Sequence, residues 1–153
     1  MPDGVAAEID PLALESQVCF ALAVTNRAVL AVYRPLLEPL GLTHPQYLVM
    51  LALWDNAKGA GEPLSVKDIA RLLQMDSATL SPMLKRLQAQ GRITRVELAP
   101  KGRSLRRQAL EVPPSVVERL GVELSELEHL RDALTSINTA ALAAGALDSE
   151  LDR

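Results

Sequence analysis

Cysteine and histidine are the side chains best suited to chemistry in this chain, which has one cysteine, Cys19, and two histidines, His44 and His129. A thiolate attacks a peroxide to give a sulfenic acid, which then condenses with another thiol or proceeds to irreversible acids. A lone cysteine on an amphipathic helix is otherwise a small buried hydrophobe, so two interpretations of Cys19 stay open. One cysteine cannot form a disulfide within the chain and agrees with a reducing, cytoplasmic location.

No motif of a catalytic or metal site accompanies these residues. The sequence has no Gly-rich phosphate loop, no paired Cys/His spacing typical of a metal site and no Gly-x-Ser-x-Gly motif. Cys19 and His44 together suggest thiol chemistry, but nothing else completes a catalytic site. We therefore expect that the protein is not an enzyme and that it needs no metal or cofactor.

Positive charge is concentrated in residues 85–107, which we call the basic segment. This segment carries a net charge of +7, whereas the rest of the chain carries −10. A basic segment on an acidic body predicts a docking site for a polyanion such as DNA, although a solvated charged surface is the alternative. Its eight bases are Lys85, Arg86, Arg92, Arg95, Lys101, Arg103, Arg106 and Arg107.

Composition and periodicity predict a mostly helical core. Apolar residues make up 48% of the chain and aromatic residues 3%, so Leu, Val and Ala must fill the interior, and Leu and Ala favour helices. Residues 1–10 are typical of a loose tail. Apolar positions then recur at helical spacing over residues 12–37, where Pro35 disturbs the helix and Gly41 ends the segment.

Capping signals predict three further helices. Thr43 and Gln46 have the spacing of a capping box, which begins an apolar helix. Ser65 opens a short helix, and after a tight connection Asp76 caps another, which Gly91 ends.

The periodicity changes after these helices. Residues 92–98 alternate as a strand does, residues 99–102 predict a turn, and residues 104–110 predict the return strand. Residues 115–147 then form a long helical stretch, which we expect to be interrupted near Asn138.

A short helix, a tight turn, a second helix and a hairpin make a winged helix-turn-helix, so the predicted fold class is mainly α with a small β-hairpin wing. The second helix presents short polar side chains to base edges, and the basic hairpin tip, residues 100–103, enters a minor groove. The helix N-terminus favours a phosphate. Capping and solvation are the alternative roles for these side chains. The candidate DNA-binding residues are Ser77, Thr79, Ser81, Lys85, Arg86, Gln88, Arg95, Lys101 and Arg103.

Two runs of sequence resemble the MarR family, and in particular its organic-hydroperoxide-sensing branch (OhrR type). They are VCFALAVTNRAVLAVYRPLLEPLGLTHPQYLVMLALW (residues 18–54) and LQMDSATLSPMLKRLQAQGRITR (residues 73–95), and the resemblance extends over residues 12–110. It implies one domain over residues 1–153, with helical dimerisation regions at 12–40 and 115–147 around a DNA-binding region at 43–110. It also implies an obligate homodimer that binds a double-stranded operator in two half-sites and acts as a repressor.

The same resemblance implies a redox-sensing cysteine, which Cys19 matches. In that branch tyrosines from across the dimer interface bond to the thiolate. Tyr33 matches one of them, whereas Ala23 and His44 stand at two other tyrosine positions. A protonated imidazole at His44 would stabilise a thiolate more strongly than a phenol does, and an exposed helix residue is the alternative. The resemblance also implies that the Asp common in the family's wing is replaced by Lys101, while the Arg two residues further on is retained as Arg103.

Oxidation of Cys19 would need a small cellular thiol as partner, because the chain has no second thiol. The resulting mixed disulfide would disturb the dimer seam and the spacing of the recognition helices. Two other functions stay open: a MarR-type repressor released by a small apolar or phenolic ligand at the dimer seam, with Cys19 not redox-active, and a winged helix that binds protein. We expect no membrane partner, because no apolar run approaches about 20 residues and no signal peptide is evident.

Overall fold

The computed structural model describes residues 10–59 and 62–148, so the predicted tail lies almost wholly outside the described residues. The fold is mainly helical with one two-stranded hairpin, which confirms the predicted fold class. Its elements are α1 (Val18–Leu37), α2 (His44–Asn56), α3 (Val66–Leu73), α4 (Ser77–Ala89), β1 (Ile93–Thr94), β2 (Glu97–Leu98), α5 (Pro100–Ala109), α6 (Val112–Leu120) and α7 (Leu124–Ala143), with 3-10 turns at Leu14–Ser16 and Glu38–Leu40.

Capping boxes begin α2, where the sequence predicts one, and α3, where it predicts only that a helix opens at Ser65. The amide of Gln46 donates to the Thr43 hydroxyl (3.4 Å), and the amide of Thr43 donates to the Gln46 side chain (3.1 Å). Ser65 and Asp68 exchange the equivalent bonds at 3.0 and 2.9 Å. These bonds satisfy amide groups that the first helical turn leaves without partners, so both helices start where the sequence predicts.

The core lies between the C-terminal end of α1, the helices α2, α3 and α4, the hairpin, α5 and the start of α6. A buried hydrogen bond joins α2 to α5, since the Trp54 indole donates to the Gly102 carbonyl over 2.8 Å. This bond fixes the start of α5 beneath the hairpin. The fully buried side chains are Leu37, Val49, Met50, Ile69, Leu80, Leu87 and Ile93.

The hairpin is shorter than predicted, and the return strand expected at residues 104–110 is wrong. Ile93 lies opposite Leu98 and Thr94 opposite Glu97, so the turn falls at residues 95–96 rather than 99–102. Residues 104–110 instead belong to α5 and its C-terminal cap.

Helical spacing explains the error. Pro100 stands at the first position of α5, where its missing N–H costs little, and Gly102, Leu105 and Ala109 are buried along one side of the helix. Their separations of three, four and seven residues match a helix rather than a strand.

The C-terminal region is two helices, and the interruption expected near Asn138 is wrong. α6 ends at Gly121, which adopts the left-handed conformation (φ 64°) that favours glycine after a helix. α7 then runs through Asn138 without a break.

The first helix starts later and is more apolar than expected. It begins at Val18 after the turn at Leu14–Ser16, and Pro35 lies within it. The segment Val18–Leu40 is long and apolar enough to cross a membrane by length and composition alone, with mean hydropathy 1.2, so the expectation that no segment reaches that length is wrong. The same properties belong to a helix with one large apolar interface, and Arg27 and Arg34 interrupt this one.

Candidate DNA interface and thiol site

The recognition helix of the predicted motif is α4, which is held by one buried face. Leu80, Leu84 and Leu87 point into the core. The Asp76 carboxylate accepts the Thr79 amide over 2.6 Å and so caps the helix. This anchoring leaves the opposite face of α4 in solvent.

The predicted hydroxyl side chains flank the exposed face of α4. Thr79 is exposed, whereas Ser77 and Ser81 are half-buried and the Ser81 hydroxyl donates to the Ser77 carbonyl over 2.8 Å. At 100° per residue, Ser77, Ser81 and Gln88 share one side of the helix and Thr79 lies on the other. Internal capping therefore uses part of the hydrogen-bonding capacity of Ser81.

The centre of the exposed face contains residues that the sequence alone did not identify. Ala78, Pro82 and Ala89 are exposed there, together with the predicted Lys85. Their spacing of three, four and seven residues, opposite the buried leucines, is the signal that would have identified them. Small apolar side chains at such positions are suited to contact thymine methyl groups in the major groove.

The N-terminus of α4 is already occupied by an anion of the chain itself. Hydrogen bonds from Thr79 hold the pKa of the Asp76 carboxyl below its usual value, so it is charged at neutral pH. This charge opposes a phosphate at the same helix end. The expected phosphate contact at this N-terminus therefore has a competitor.

The basic segment is not uniformly available. Arg92 donates to the carbonyls of Leu40 (2.6 Å) and Gly41 (3.1 Å), and burial lowers the pKa of its guanidinium. It joins the 3-10 turn that follows α1 to the start of the hairpin. Arg106 is half-buried and lines a groove between α2, α3 and α5. The exposed bases are Lys85, Arg86, Arg95, Lys101, Arg103 and Arg107.

The predicted minor-groove tip at residues 100–103 is wrong, because Lys101 and Arg103 lie in the first turn of α5. Their matches to wing positions of the family fail for the same reason. Lys101 lies over the end of α4, where a β-carbon at Gly91 would be 3.4 Å from its Cδ. Arg95 alone among the candidate bases stands in the hairpin turn, with φ 58°.

Cys19 is the second residue of α1, and its side chain is exposed in the single protomer. The interpretation as a buried hydrophobe is therefore wrong for one protomer. Tyr33 follows on the same helix after 14 residues, which places the two about 21 Å apart and within about 40° of the same face. A protomer's own Tyr33 thus cannot reach its own Cys19.

Three ionisable rings cluster where α1 meets α2. The Tyr33 ring centroid lies 5.3 Å from that of His44 and 6.0 Å from that of Tyr47, and His44 and Tyr47 are 6.3 Å apart. His44 is half-buried, so its interpretation as an exposed residue is wrong. The sequence alone assigned no role to Tyr47, although it lies in residues 18–54, the first run that resembles the MarR family.

Burial determines the protonation of this cluster. It raises the pKa of Tyr33 and Tyr47, and the Tyr33 charge raises that of Tyr47 further. Both phenols therefore remain hydrogen-bond donors at neutral pH. Burial lowers the pKa of His44 from 6.5, so the imidazole offers one N–H donor rather than a cation at neutral pH.

A long apolar face on α1 and α7 has no partner within the described residues. α7 buries none of its side chains, and Leu130 and Ile137 are 49% and 52% exposed. Val18 on α1 is 65% exposed. A groove of about 480 Å³ runs between α1, α6 and α7 and is lined mainly by Leu and Val.

A reciprocal amide pair ties α7 to the helix-turn-helix. The Gln74 side chain donates to the Asn138 oxygen over 2.7 Å, and the Asn138 side chain donates back over 3.0 Å. Gln74 caps α3 in the left-handed conformation (φ 52°) and lies in the turn that leads to α4. The position of α7 is thereby linked to that of the recognition helix.

Across residues 10–59 and 62–148, no three His, Cys, Asp or Glu side chains come together as a metal site.

A second groove, of about 760 Å³, lies between α2, α3 and α5 and is lined by Tyr47, Trp54, Leu72 and Arg106 among others.

Comparison with known proteins gives the family. The model of the MarR family matches residues 40–104. The chain is 35% identical over 141 residues to the organic hydroperoxide resistance transcriptional regulator of Bacillus subtilis (strain 168), with 85% of this chain and 92% of that protein covered. It is 40% identical over 139 residues to the HTH-type transcriptional regulator TtmR of Methylorubrum extorquens (strain PA1), covering 84% and 69%.

The fold agrees with that of solved structures. The M. tuberculosis transcriptional regulator MosR, solved in complex with DNA, superimposes with a TM-score of 0.69 at 21% identity, covering 83% of this chain and 98% of that one. Sequence and fold therefore lead to one conclusion: the chain belongs to the MarR family and is a transcriptional regulator.

Proposed function

We propose that this regulator is a homodimeric, cytoplasmic, DNA-binding repressor that leaves its operator when an organic hydroperoxide oxidises Cys19. The observation that carries the proposal is the placement of Cys19, which is the chain's single cysteine and is exposed on the open face of α1. The named role of the B. subtilis relative supports the choice of oxidant.

DNA binding follows from the exposed side of α4. Its centre combines small apolar side chains with Lys85, its edges carry Thr79 and Gln88, and the cationic ends of Lys85 and Arg86 are available to phosphates. The acidic remainder of the protein repels DNA, so attraction is confined to this side. Operator binding in two half-sites requires two such helices about one DNA turn apart, which a two-fold dimer supplies.

The dimer explains the open face of α1 and α7. A soluble monomer rarely leaves a contiguous stripe of Leu, Val and Ile this long in water. The occupant we propose is a second copy, because the stripe extends over both ends of the chain and a two-fold axis pairs each end with its equivalent.

The register of that dimer follows from the thiol site. Cys19 and Tyr33 share a face of α1, and their midpoint along the helix is residue 26. If two copies of α1 cross in antiparallel orientation near Asn26, each Cys19 lies opposite the partner's Tyr33. Tyr33 and His44 of the ring cluster then offer O–H and N–H donors to the thiolate, and Tyr47 packs behind them.

The chemistry is a two-electron oxidation. The thiolate of Cys19 attacks one peroxide oxygen, the O–O bond breaks and an S–O bond forms, and the departing alkoxide takes up a proton to become an alcohol. The sulfenic acid then condenses with a small thiol, releasing water and forming a mixed disulfide. Each oxidation consumes the thiol until another thiol regenerates it, and the proposed role is that of a sensor rather than an enzyme.

Transmission to DNA follows from packing. An adduct at Cys19 occupies space in the interface between the two copies and displaces the outer helices. α7 is bonded through Asn138 to Gln74, so its displacement moves the turn that places α4. A small change in the separation of two recognition helices prevents both from docking together.

The test is DNA affinity with and without oxidant. A duplex is first selected by the reduced protein from a random library, and binding to its fluorescent form is followed by anisotropy. Cumene hydroperoxide with glutathione should weaken binding by at least tenfold, and a dithiol reductant should restore it. The matched variant Cys19→Ser should bind the same duplex and ignore the oxidant.

A Cys19→Ser variant that is released by cumene hydroperoxide as readily as the wild type contradicts the proposal. Wild-type protein that keeps its affinity while mass spectrometry shows the Cys19 adduct contradicts it as well.

A second candidate is a repressor released by a small apolar or phenolic ligand. The groove of about 760 Å³ beside Tyr47 and Trp54 favours it, because it is mostly apolar with Arg106 at its edge. This groove lies between α2, α3 and α5 and not at the dimer seam where the sequence placed the ligand. Loss of DNA affinity on adding such a ligand to Cys19→Ser would identify this function, and no effect of the ligand would exclude it.

A further inference from the structure

The hairpin of this regulator packs against the core and projects only a short distance into solvent. Ile93 is 1% exposed and Leu98 is half-buried, so the first paired row lies within the body. One further row, Thr94 and Glu97, separates it from the turn. At about 3.4 Å per residue the tip therefore extends roughly 7 Å beyond the buried row.

The tip also folds back. Val96, the second residue of the turn, is half-buried and packs against the core. The start of α5 closes the other side, because a β-carbon at Gly102 would overlap the Arg92 carbonyl. Among the side chains of the hairpin, those left in solvent are Thr94, Arg95 and Glu97.

This geometry does not suit insertion into a minor groove. The minor groove next to a helix seated in the major groove lies about half a DNA turn away, roughly 17 Å along the axis. The tip, which extends roughly 7 Å beyond the buried row, spans less than half of that distance. The charges of the tip also disfavour insertion. Arg95 and Glu97 lie two residues apart, and together they present no net positive charge to the negative potential of the minor groove.

We propose that this protein takes base information from the major groove alone, through α4, and that the hairpin contributes a phosphate contact by Arg95. The proposal rests on the proposed DNA binding and specifies its mode. It implies an operator whose half-sites lack specified bases in the flanking minor groove.

The experiment alters one groove at a time in a duplex that the protein selects from a random library. Inosine in place of guanine removes the minor-groove amino group and keeps the major-groove acceptors. Inosine outside the region that α4 contacts should change the dissociation constant less than threefold, whereas 7-deazaguanine at specified guanines, which removes a major-groove acceptor, should weaken binding at least tenfold. A change of threefold or more on inosine substitution overturns the proposal.

Arg95→Ala provides a second test. It should weaken binding similarly on all duplexes and lower the slope of log affinity against log salt by about 0.9, which corresponds to one phosphate. The control Arg119→Ala removes the same charge from α6 and should leave the slope unchanged. A selection with Arg95→Ala that loses specified bases at the operator ends overturns the proposal. Failure of the wild type to select any duplex would instead refute DNA binding itself.

Discussion

The helix-turn-helix region buries its apolar stripe within the protomer, whereas the two outer helices leave a similar stripe exposed. In α2, α3 and α4 the stripe is covered by the chain itself, and Val49, Ile69 and Leu80 are completely buried. In α7 a stripe of the same periodicity is open, with Leu130 49% exposed. Periodicity therefore predicts an apolar face but not what covers it. For the outer helices, the cover that we propose is a second copy of the chain.

The largest effect should come from the covered stripe. Leu80→Ala removes a completely buried side chain from the middle of the core, where the structure cannot close the space left behind. We expect the free energy of unfolding to fall by about 3–5 kcal/mol in denaturant titrations. A loss below about 1 kcal/mol would show that this region is not the rigid core described.

A charge placed in the exposed stripe of α7 should weaken dimerisation rather than the stability of the protomer. Leu130→Asp places a charge where the second copy is expected, and an unpaired charge in an interface is costly. We expect the dissociation constant of the dimer in sedimentation velocity to rise by at least a hundredfold, with helical content retained. Ser125→Asp, exposed on the same helix, is the control. A dimer that survives Leu130→Asp unchanged removes α7 from the interface.

The junction between hairpin and α5 should show an intermediate effect. A β-carbon at Gly102 would overlap the Arg92 carbonyl, so Gly102→Ala must displace the hairpin or α5. We expect a destabilisation of about 1–3 kcal/mol. Gly121→Ala is a contrasting variant, because φ is positive there but no atom lies within 4 Å of the added carbon, so its cost is that of backbone strain alone. Since φ is not positive at Gly102, a Gly102→Ala variant as stable as the wild type would mean that the hairpin and α5 separate without cost.

The smallest effect concerns pH and the ring cluster. Burial lowers the pKa of His44 from 6.5, so the unfolded chain takes up the proton first. The stability that His44 contributes is therefore fully present above pH 6.5 and is lost as the pH falls through its folded pKa. Denaturant titrations between pH 8 and pH 5 should show a steeper acid-side loss for wild type than for His44→Gln. Parallel curves would place His44 in water.

Local sequence signals predicted much of the fold, whereas contacts between residues distant in the sequence could not be predicted. The boxes at Thr43 and Ser65 were predictable because both partners lie within four residues. Residues 100–109 were misread because a weak alternation was preferred to the helical spacing of Leu105 and Ala109. The bonds from Arg92 to Leu40 and from Trp54 to Gly102 join residues about 50 positions apart. No sequence period indicates such pairs.

The candidate site shows the same division. The sequence identified Cys19, Tyr33 and His44 through a resemblance, and the three hydroxyls of α4 through their place after a cap. It did not identify Tyr47, which joins the ring cluster only when α1 and α2 pack. It counted Arg92 in the basic segment that was expected to dock a polyanion, whereas the fold uses that guanidinium to hold a turn.

Mixed dimers test directly whether each thiol site is shared between two copies of the chain. A dimer of one Cys19→Ser protomer and one Tyr33→Phe protomer, purified with two different tags, contains one Cys19 opposite an intact Tyr33 only if the pairing crosses the interface. We predict that this cysteine reacts with cumene hydroperoxide at the wild-type rate and several-fold faster than in the Tyr33→Phe homodimer. A mixed dimer as slow as that homodimer would contradict a shared site.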